Sequence, residues 1–499
     1  MRHSVPQLLD EYEKTRVMFA QNLAKLASEQ ENIEAFQTAG IMQVLRPLLV
    51  ESVPSVQFPA VQALGHLISY SESLAQATAQ RQIIPLLVTF LGESLLLKKA
   101  AVFALRAVAK YSPELAQEVV DSGAVAPLLG CMEVNVEMKK STISALDAIA
   151  KHNSALATTV VEAVGEMFLP LLVMCLMDSE ASVKPIAVSS LGNIAKHSAV
   201  LAVQVVDAGA LPFLSEFISH SDSEVKQQAC YALAQIAQHT VNLSQLVISL
   251  DIFPRILDCL KDADLHVRVN AATCILELSK QTSSIAELIT NSGGAVAMVN
   301  YITAAKGEAK LPGIRTLGFL SAFTEELAMK VITSKALPPL SNAFLNEPND
   351  IIKSAVAWAV GQMGRHSESH AKFLFDADFP LHLLAAHTNE RSSDDLKAKA
   401  KRSLKSVIQM CSQLDLLQPL LEKSPPAILK YLFGQYAKLL PDHVEAQQSF
   451  EQRGGLRKVQ VTTAPAESKL NRHIEAIKGL YPPEVIQRNA PQENPPQGS

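Results

Sequence analysis

The stretch AKHSAVLAVQVVDAGALPFL, at residues 195–214, returns in degraded form but in register along most of the chain. Related stretches are AKYSPELAQEVVDSGAVAPLL (109–129), AQHTVNLSQLVISLDIFPRIL (237–257) and SKQTSSIAELITNSGGAVAMV (279–299). Ser, Thr and Asn side chains accept hydrogen bonds from the first amides of a helix. Residues of these types, spaced 41 to 45 positions apart, fix the register: Ser71, Ser112, Asn153, Ser198, Thr240, Thr282, Thr324 and Ser367. This column predicts that one helical repeat occurs many times.

Each repeat is predicted to contain three helices. In the copy that begins at Ser198, a first helix ends at Gly209, because glycine adopts the left-handed conformation freely. A second helix starts near Pro212, and a longer third one near Val225. The apolar residues of the third helix follow the i, i+3, i+4, i+7, i+8 spacing of one buried face: Ala229, Ala232, Leu233, Ile236 and Ala237. Three helices at a period near 42 are typical of armadillo repeats rather than two-helix HEAT repeats.

These patterns predict an all-α fold, a right-handed superhelical solenoid of armadillo repeats with capping helices. One copy is longer than the others: VVEAVGEMFLP, at residues 160–170, carries about three extra residues and predicts a bulge between the first and second helices. The predicted organisation has four parts: an N-terminal capping helix at 1–30, the repeat solenoid at 31–412, an irregular helical cap at 413–460, and a proline-rich, partly disordered tail at 461–499 that could include a short helix near 467–480.

Composition narrows the functional classes. Apolar residues make up 48% of the chain and aromatic residues 5%, which predicts a core of small aliphatic side chains. A net charge of −5 gives no general attraction to nucleic acid. The six cysteines form no CxxC pair and are interpreted as small buried residues in a reducing compartment. The first residues, MRHSVPQLLDEYEKTR, are charged where a signal peptide is apolar. We expect a soluble cytoplasmic protein that binds neither nucleic acid nor membrane.

The sequence contains none of the Walker, GxGxxG, HExxH or GxSxG motifs. We therefore expect no enzyme activity, no catalytic residues, no cofactor and no metal. A histidine column at the ends of third helices (His152, His197, His239 and His366) is replaced by Tyr, Gln or Phe in other copies, which argues against metal binding. An imidazole there is expected to bond helix-terminal carbonyls. His370 lies four residues after His366, but the cap residue between them predicts that they share no helix face.

A basic column is the first candidate interaction site. It recurs near the start of each third helix: Lys98, Lys139, Lys184, Lys226, Arg268, Lys310, Lys353 and Lys397. Helices that pack about 9–10 Å apart would align these cations in a stripe on the order of 70 Å long, suited to an extended acidic partner. The alternative is a structural column, in which each cation pairs with an acidic residue in the preceding loop, as Asp222 or Glu224 could with Lys226. Exposed pairs contribute only about 0–1 kcal/mol each, so stability alone explains the column poorly.

A second basic feature is the stretch DDLKAKAKRSLK at 394–405. Lys397, Lys401 and Lys405 are spaced to share one helix face, and Lys399 and Arg402 lie beside them. The stretch is either a solvated helix face or a docking site for acidic peptides that salt would screen.

The concave groove of armadillo import receptors suggests a third candidate. Those proteins bind basic peptides through repeated Trp and Asn residues four positions apart on third helices. The corresponding positions here hold few such residues, and the candidate groove residues are Asn193, Gln235, Trp358 and Gln362. One tryptophan with a glutamine partner does not make a ladder, so import-cargo binding is not expected. Trp358 is either a core residue or a groove contact.

Several stretches resemble one known family. They include LLDEYEKTRVMFAQNLAKLASEQENIEAFQTAGIM (8–42), LKKAAVFALRAVAKYSPELAQEVVDSGAV (97–125), KLPGIRTLGFLSA (310–322), KSAVAWAVGQMGRHS (353–367), SPPAILKYLFGQYAKLLP (424–441) and YPPEVI (481–486). The non-repeat stretches near both ends are the most specific. Together they resemble the sperm-associated antigen 6 family, armadillo proteins of the central apparatus of motile cilia and flagella.

The resemblance implies a structural, non-catalytic scaffold on a central axonemal microtubule that supports central-pair stability and flagellar motility. The implied partners are central-apparatus proteins and tubulin, and the implied location is the cytoskeleton of the axoneme. Long exposed faces permit a homodimer or end-to-end self-association without requiring either. The alternative function is a soluble armadillo adaptor for cargo or signalling proteins.

Overall fold

The computed structural model describes residues 5–490, which form α-helices joined by short 3₁₀ turns and loops, with no strand among them. They divide into two compact bodies, an N-terminal body that ends at Ile252 and a C-terminal body that begins at Phe253. Four residues before this range and nine after it are outside the described part, so the prediction for the end of the 461–499 tail lies partly outside the described residues.

The N-terminal body contains a long first helix followed by five complete three-helix repeats, α2–α4 to α14–α16. Its helices are α1 Val5–Ala27, α2 Ile33–Thr38, α3 Ile41–Leu49, α4 Pro54–Tyr70, α5 Glu72–Gln80, α6 Ile84–Phe90, α7 Leu95–Ala109, α8 Pro113–Asp121, α9 Val125–Gly130, α10 Val136–Ala150, α11 Ser154–Glu166, α12 Phe168–Leu176, α13 Lys184–Ala195, α14 Ala199–Asp207, α15 Ala210–Phe217, α16 Ser223–Ala237 and α17 Val241–Ile248.

The C-terminal body contains three complete repeats, α20–α22 to α26–α28, and then less regular helices. Its helices are α18 Phe253–Cys259, α19 Leu265–Ser279, α20 Ser283–Asn291, α21 Gly294–Ala304, α22 Leu311–Phe323, α23 Glu325–Thr333, α24 Leu337–Asn346, α25 Asp350–Met363, α26 Glu368–Asp376, α27 Phe379–Thr388, α28 Asp394–Met410, α29 Leu414–Lys423, α30 Pro426–Leu439, α31 Val444–Gln452, α32 Gly455–Val461, α33 Lys469–Lys478 and α34 Pro483–Arg488. The 3₁₀ helices of the two bodies are Gln30–Asn32, Cys131–Glu133, Ala181–Val183, Gly307–Lys310 and Leu440–Asp442.

The third helices, continued by α1 in the N-terminal body and by α30 and α33 in the C-terminal body, form the central row of each body. In the N-terminal body α1, α4, α7, α10, α13 and α16 pack in succession, and in the C-terminal body α19, α22, α25, α28, α30 and α33 do so. Their apolar faces are fully buried, as the spacing predicts: Ala229, Ala232, Leu233, Ile236 and Ala237 all have no exposed surface. Because each helix buries small aliphatic residues against its neighbours, the core runs continuously through each stack. The predicted all-α solenoid is confirmed within each body.

The capping column has the predicted role in seven of its eight positions. From Ser71 to Thr324, each side-chain oxygen accepts a hydrogen bond from the amide three residues ahead. Ser367 is the exception, because its hydroxyl lies 2.8 Å from Nδ1 of His370, which occupies that third position. His370 has no exposed surface, so the Ser367 hydroxyl contacts a buried imidazole instead of accepting a hydrogen bond from a helix amide.

Two local predictions about turns are confirmed. Gly209 adopts φ +87° between α14 and α15, in the left-handed region that favours glycine. The longer copy bulges near the end of α11, where Ala163, Val164 and Gly165 leave the helical conformation. The extra residues therefore form a loop, while the helices on either side remain in place in the stack.

The chain ends are helical in the described part. The helix α1 packs on α4 through buried Ala20, Leu23, Ala24 and Ala27. The segment that follows residue 461, expected to be partly disordered, includes α33 and α34, and α33 packs on α30. Its apolar residues Leu470, Ile474 and Ile477 are spaced for one helix face and are buried, which explains why this piece of a proline-rich segment folds.

Candidate interaction surfaces

The basic column lies where the sequence places it, near the start of each third helix, and its side chains are half-buried or, for Lys310, buried. Two of the cations bind carboxylates from the loop before the next third helix: Lys139 lies 2.5 Å from Asp178, and Lys310 lies 2.7 Å from Glu347. The hydrogen bond from Lys139 lowers the pKa of the Asp178 carboxyl and raises that of the lysine. These two cations therefore join neighbouring repeats.

Two other members of the column bind the loop that precedes their own helix. The Arg268 guanidinium donates to the backbone carbonyls of Asp262 and Ala263, at 2.6 and 2.8 Å, and the Lys397 ammonium donates to the Glu390 carbonyl at 3.0 Å. Lys184 lies 5.9 Å from the centre of the Phe217 ring. Lys98, Lys226 and Lys353 are half-buried. The column thus contributes to repeat packing at several positions, although Lys139 and Lys310 pair with carboxylates of the following repeat and not with an acidic residue of the preceding loop.

The basic helix α28 presents its charges differently. Arg402 and Lys405 are exposed, whereas Lys397, Lys399 and Lys401 are half-buried. The Lys399 ammonium donates to Asp395 at 2.8 Å, and this hydrogen bond lowers the pKa of the Asp395 carboxyl. Of the five basic residues predicted for this helix, two therefore face the solvent and three are partly covered by other residues.

The groove residues are mostly engaged within the stack. The Asn193 amide donates to Asp147 at 2.9 Å and accepts from the Tyr231 hydroxyl at 3.0 Å, which uses both ends of the side chain. Burial raises the pKa of the Asp147 carboxyl, against the opposing hydrogen bond from Asn193. Gln235 accepts a hydrogen bond from Gln238 at 3.0 Å, and Gln362 is half-buried.

Trp358 contacts the preceding third helix. Its ring lies 4.8 Å from that of Phe319 between centroids, in an edge-on arrangement. A Cβ added to Gly318 would lie only 2.3 Å from the tryptophan ring, so the absence of a side chain there makes room for it. The half-buried Trp358 is therefore part of the packing between α22 and α25.

The histidine column joins successive repeats. The ring Nε2 atoms of His152, His197 and His239 lie 2.7 to 2.8 Å from carbonyls of Ala109, Ala150 and Ala195 near the end of the preceding third helix. His366 makes the same contact with Ser321 at 2.6 Å. His366 lies before α26 and shares no helix with His370, as expected, but the two rings are neighbours, 5.8 Å apart between centroids. Among residues 5–490 no group of three potential metal ligands occurs.

One basic surface was missed by the sequence analysis. Helices α28, α30 and α33 line a groove of about 1250 Å³ that we call the C-terminal basic groove. Its basic side chains are Lys405, Lys430, Lys438, Lys469, Arg472 and His473. They are dispersed over almost seventy positions, and all but Lys405 lie beyond the last complete repeat, so no local motif connects them.

Two further features concern the described residues alone. All six cysteines are buried and are not joined in disulfides, as expected from their interpretation as small apolar residues. Between residues 5 and 490 no single helix is long and apolar enough to cross a membrane, although two sharply bent helix pairs, Ser154–Glu166 with Phe168–Leu176 and Ala199–Asp207 with Ala210–Phe217, would pass by length and composition.

The chain is 43% identical over 154 residues to sperm-associated antigen 6 of Mus musculus, a match that covers 31% of this chain and 30% of that protein. It is 42% identical over 154 residues to sperm-associated antigen 6 of Homo sapiens. The predicted family resemblance is confirmed over this span. The match covers less than a third of the length of these sperm-associated antigen 6 proteins.

Repeat families and solved structures agree with the fold. The HEAT-like repeat family matches residues 181–236, and the HEAT repeat family matches residues 252–282. The chain is similar in fold to an engineered protein solved by the Northeast Structural Genomics Consortium, with a TM-score of 0.68 and 20% identity. The match covers 89% of this chain and 98% of the engineered protein. This likeness concerns the fold alone. Repeats of this kind together with the similarity to sperm-associated antigen 6 support a repeat scaffold or interaction protein.

Proposed function

We propose that the chain is a structural scaffold of the axonemal central apparatus that supports central-pair microtubules and flagellar motility. The observation that carries this proposal is the 43% identity to sperm-associated antigen 6 over 154 residues. The stacked repeats support it, because a solenoid presents long continuous surfaces to other proteins. The proposed location is the cytoskeleton of the cilium or flagellum, with central-apparatus proteins and tubulin as partners.

The proposed contacts with acidic partners are the basic column and the basic face of α28. In the column, cations that already bind Asp178, Glu347 or loop carbonyls would keep their packing role. The exposed Arg402 and Lys405 are better placed to meet a partner. Asn193, Gln235, Trp358 and Gln362 remain proposed secondary groove contacts, and self-association as a homodimer or end to end remains a proposal.

Localisation tests the proposed function against its alternative, a soluble adaptor. The full chain, tagged and expressed in ciliated cells, is expected along the axoneme and is expected to remain there after the membrane is removed with detergent. A scaffold is retained because it is held by many weak contacts over a long surface. Release of the protein into the detergent extract would favour the adaptor and contradict the scaffold proposal.

Charge reversal tests the role of α28. The double variant Arg402→Glu with Lys405→Glu is expected to reduce axonemal retention and microtubule co-sedimentation, because it replaces attraction to acidic surfaces with repulsion. This variant leaves the contact between Lys397 and the Glu390 carbonyl intact. The matched control is Lys372→Glu with Arg391→Glu, which changes the net charge equally at two other exposed positions of the C-terminal body. Equal retention of both double variants would exclude α28 as the contact.

A further inference from the structure

The C-terminal basic groove brings together three helices that the repeat pattern does not connect. The middle helix is α30, with α28 packed on one side of it and α33 on another. Lys430, Gly434 and Lys438 are four residues apart and therefore lie along one face of α30. A Cβ on Gly434 would lie 3.2 Å from Nε2 of His473, so glycine allows α33 to approach closely here. The floor of the groove is thus fixed by packing.

The groove is positively charged and its charges are not neutralised. Lys405, Lys430, Lys438, Lys469 and Arg472 line it together with His473, and no aspartate or glutamate does. Within residues 5–490 none of these six groups forms an ion pair with a carboxylate. Lys438, Lys469 and Arg472 are exposed. Since like charges held together destabilise the isolated protein, a ligand that carries negative charge would bind favourably here.

The shape and the remaining side chains distinguish among anionic ligands. The volume of about 1250 Å³ exceeds the roughly 300–1,000 Å³ of most small-molecule pockets, which favours a polymer. Single-stranded nucleic acid requires exposed aromatic platforms for its bases. Of the two rings in the lining, His473 packs against Gly434, and Tyr431 already has the ammonium groups of Lys430 and Lys405 4.9 and 6.0 Å from its centre. A bilayer surface would not enter a groove between helices. A peptide fits these constraints.

We propose that the C-terminal basic groove binds an extended acidic segment of a partner protein. Lysine and arginine side chains from three helices would surround the carboxylates of the segment, while the buried Leu470 and Gln435 hold the walls in place. This inference deepens the proposed function, because it names a partner class for a groove that shares only Lys405 with the basic face of α28, and it rests on that function for taking the partner to be a protein.

Binding of a defined peptide to the full chain tests the proposal. Three helices spaced about 9–10 Å apart span roughly 20 Å. An extended peptide of about ten residues is roughly 33 Å long and therefore reaches across all three helices. A fluorescently labelled peptide of alternating Glu and Gly is expected to bind, as followed by anisotropy, and to weaken as salt rises. The double variant Lys430→Glu with Lys438→Glu is expected to bind about tenfold more weakly or not at all.

Three controls make the result specific. Lys430→Arg with Lys438→Arg retains the charge and is expected to retain binding, and Lys372→Glu with Arg391→Glu is expected to bind like the unmodified protein. Circular dichroism verifies that each variant is folded. Absence of peptide binding, equal binding by the reversed groove variant, or tighter binding of a single-stranded oligonucleotide or of phosphatidylserine vesicles would overturn the proposal. None of these results would alter axonemal localisation, so the two proposals can fail separately.

Discussion

At the scale of single residues, glycine decides how closely the third helices approach. Gly65, Gly192 and Gly318 each face an aromatic side chain of the next third helix: Phe103, Tyr231 and Trp358 respectively. A Cβ at these glycines would lie 2.6, 2.8 and 2.3 Å from the facing ring. Protein interiors are close-packed, so such contacts leave no room for a methyl group. Glycine at these three positions leaves the space that an aromatic side chain on the facing helix occupies.

Gly318→Ala is therefore expected to destabilise the C-terminal body by about 1–3 kcal/mol, because the new methyl group displaces the Trp358 ring. Urea unfolding followed by tryptophan fluorescence measures the effect, since Trp358 is the single tryptophan. The matched control is Gly479→Ala in the same body, at φ −62°, where an added Cβ would make only ordinary contacts at 3.5 Å or more. That change is expected to be neutral or to stabilise by up to about 1 kcal/mol. Equal unfolding midpoints for both variants would contradict this account.

At the scale of helices, buried histidines link one repeat to the next. His370 lies at the start of α26, where its Nδ1 meets Ser367 and its Nε2 lies 3.0 Å from the Glu325 carbonyl. Burial lowers its pKa, with His366 adding to the effect and the Glu325 carbonyl and carboxylate opposing it. Burial likewise lowers the pKa of His66, His197 and His473. In the folded state these imidazoles remain neutral to a lower pH than in the unfolded chain.

The free energy of unfolding is therefore expected to fall as the pH drops below about 6.5, where the unfolded chain binds protons that the folded chain does not. The contribution of the neutral histidines to stability is complete above that pH. It decreases as the pH falls, until the pH is below the lowered pKa of the histidines in the folded state. Urea titrations at several values between about pH 7.5 and pH 5 measure the dependence. His370→Gln keeps a hydrogen-bonding side chain without a titrating group, so its pH dependence should be shallower. An unchanged slope in this variant would refute the contribution of His370.

At the scale of the whole molecule, the stack needs closed ends. A repeat that lacks a neighbour exposes its apolar face to water, and terminal helices cover that face. In the C-terminal body α33 has this role, because Leu470, Ile474 and Ile477 are buried and α33 packs on α30. In the N-terminal body α1 covers α4. The irregular segments beyond the repeats thus close the stacks at their exposed ends.

Truncation after Thr462 is expected to destabilise the C-terminal body by several kcal/mol, since each buried aliphatic side chain contributes about 1.5–3 kcal/mol. The thermal midpoint should fall and the soluble fraction should decrease. Deletion of residues 491–499 alone serves as the control against which both measurements are compared. If the longer truncation had the same thermal midpoint as the control, α33 would not be a cap.

The sequence by itself determined the repeat, its three-helix composition, the cap residues and the buried face of each third helix. These are local properties: the capping oxygen of Ser198 and the spacing from Ala229 to Ala237 act within one helix. Tertiary structure decided which side chains meet across repeats. It directed Lys139 to Asp178, Trp358 to Gly318 and His370 to the carbonyl of Glu325. It also assembled the C-terminal basic groove from lysines that are distant in the chain, because packing of irregular helices follows no period that can be read along a sequence.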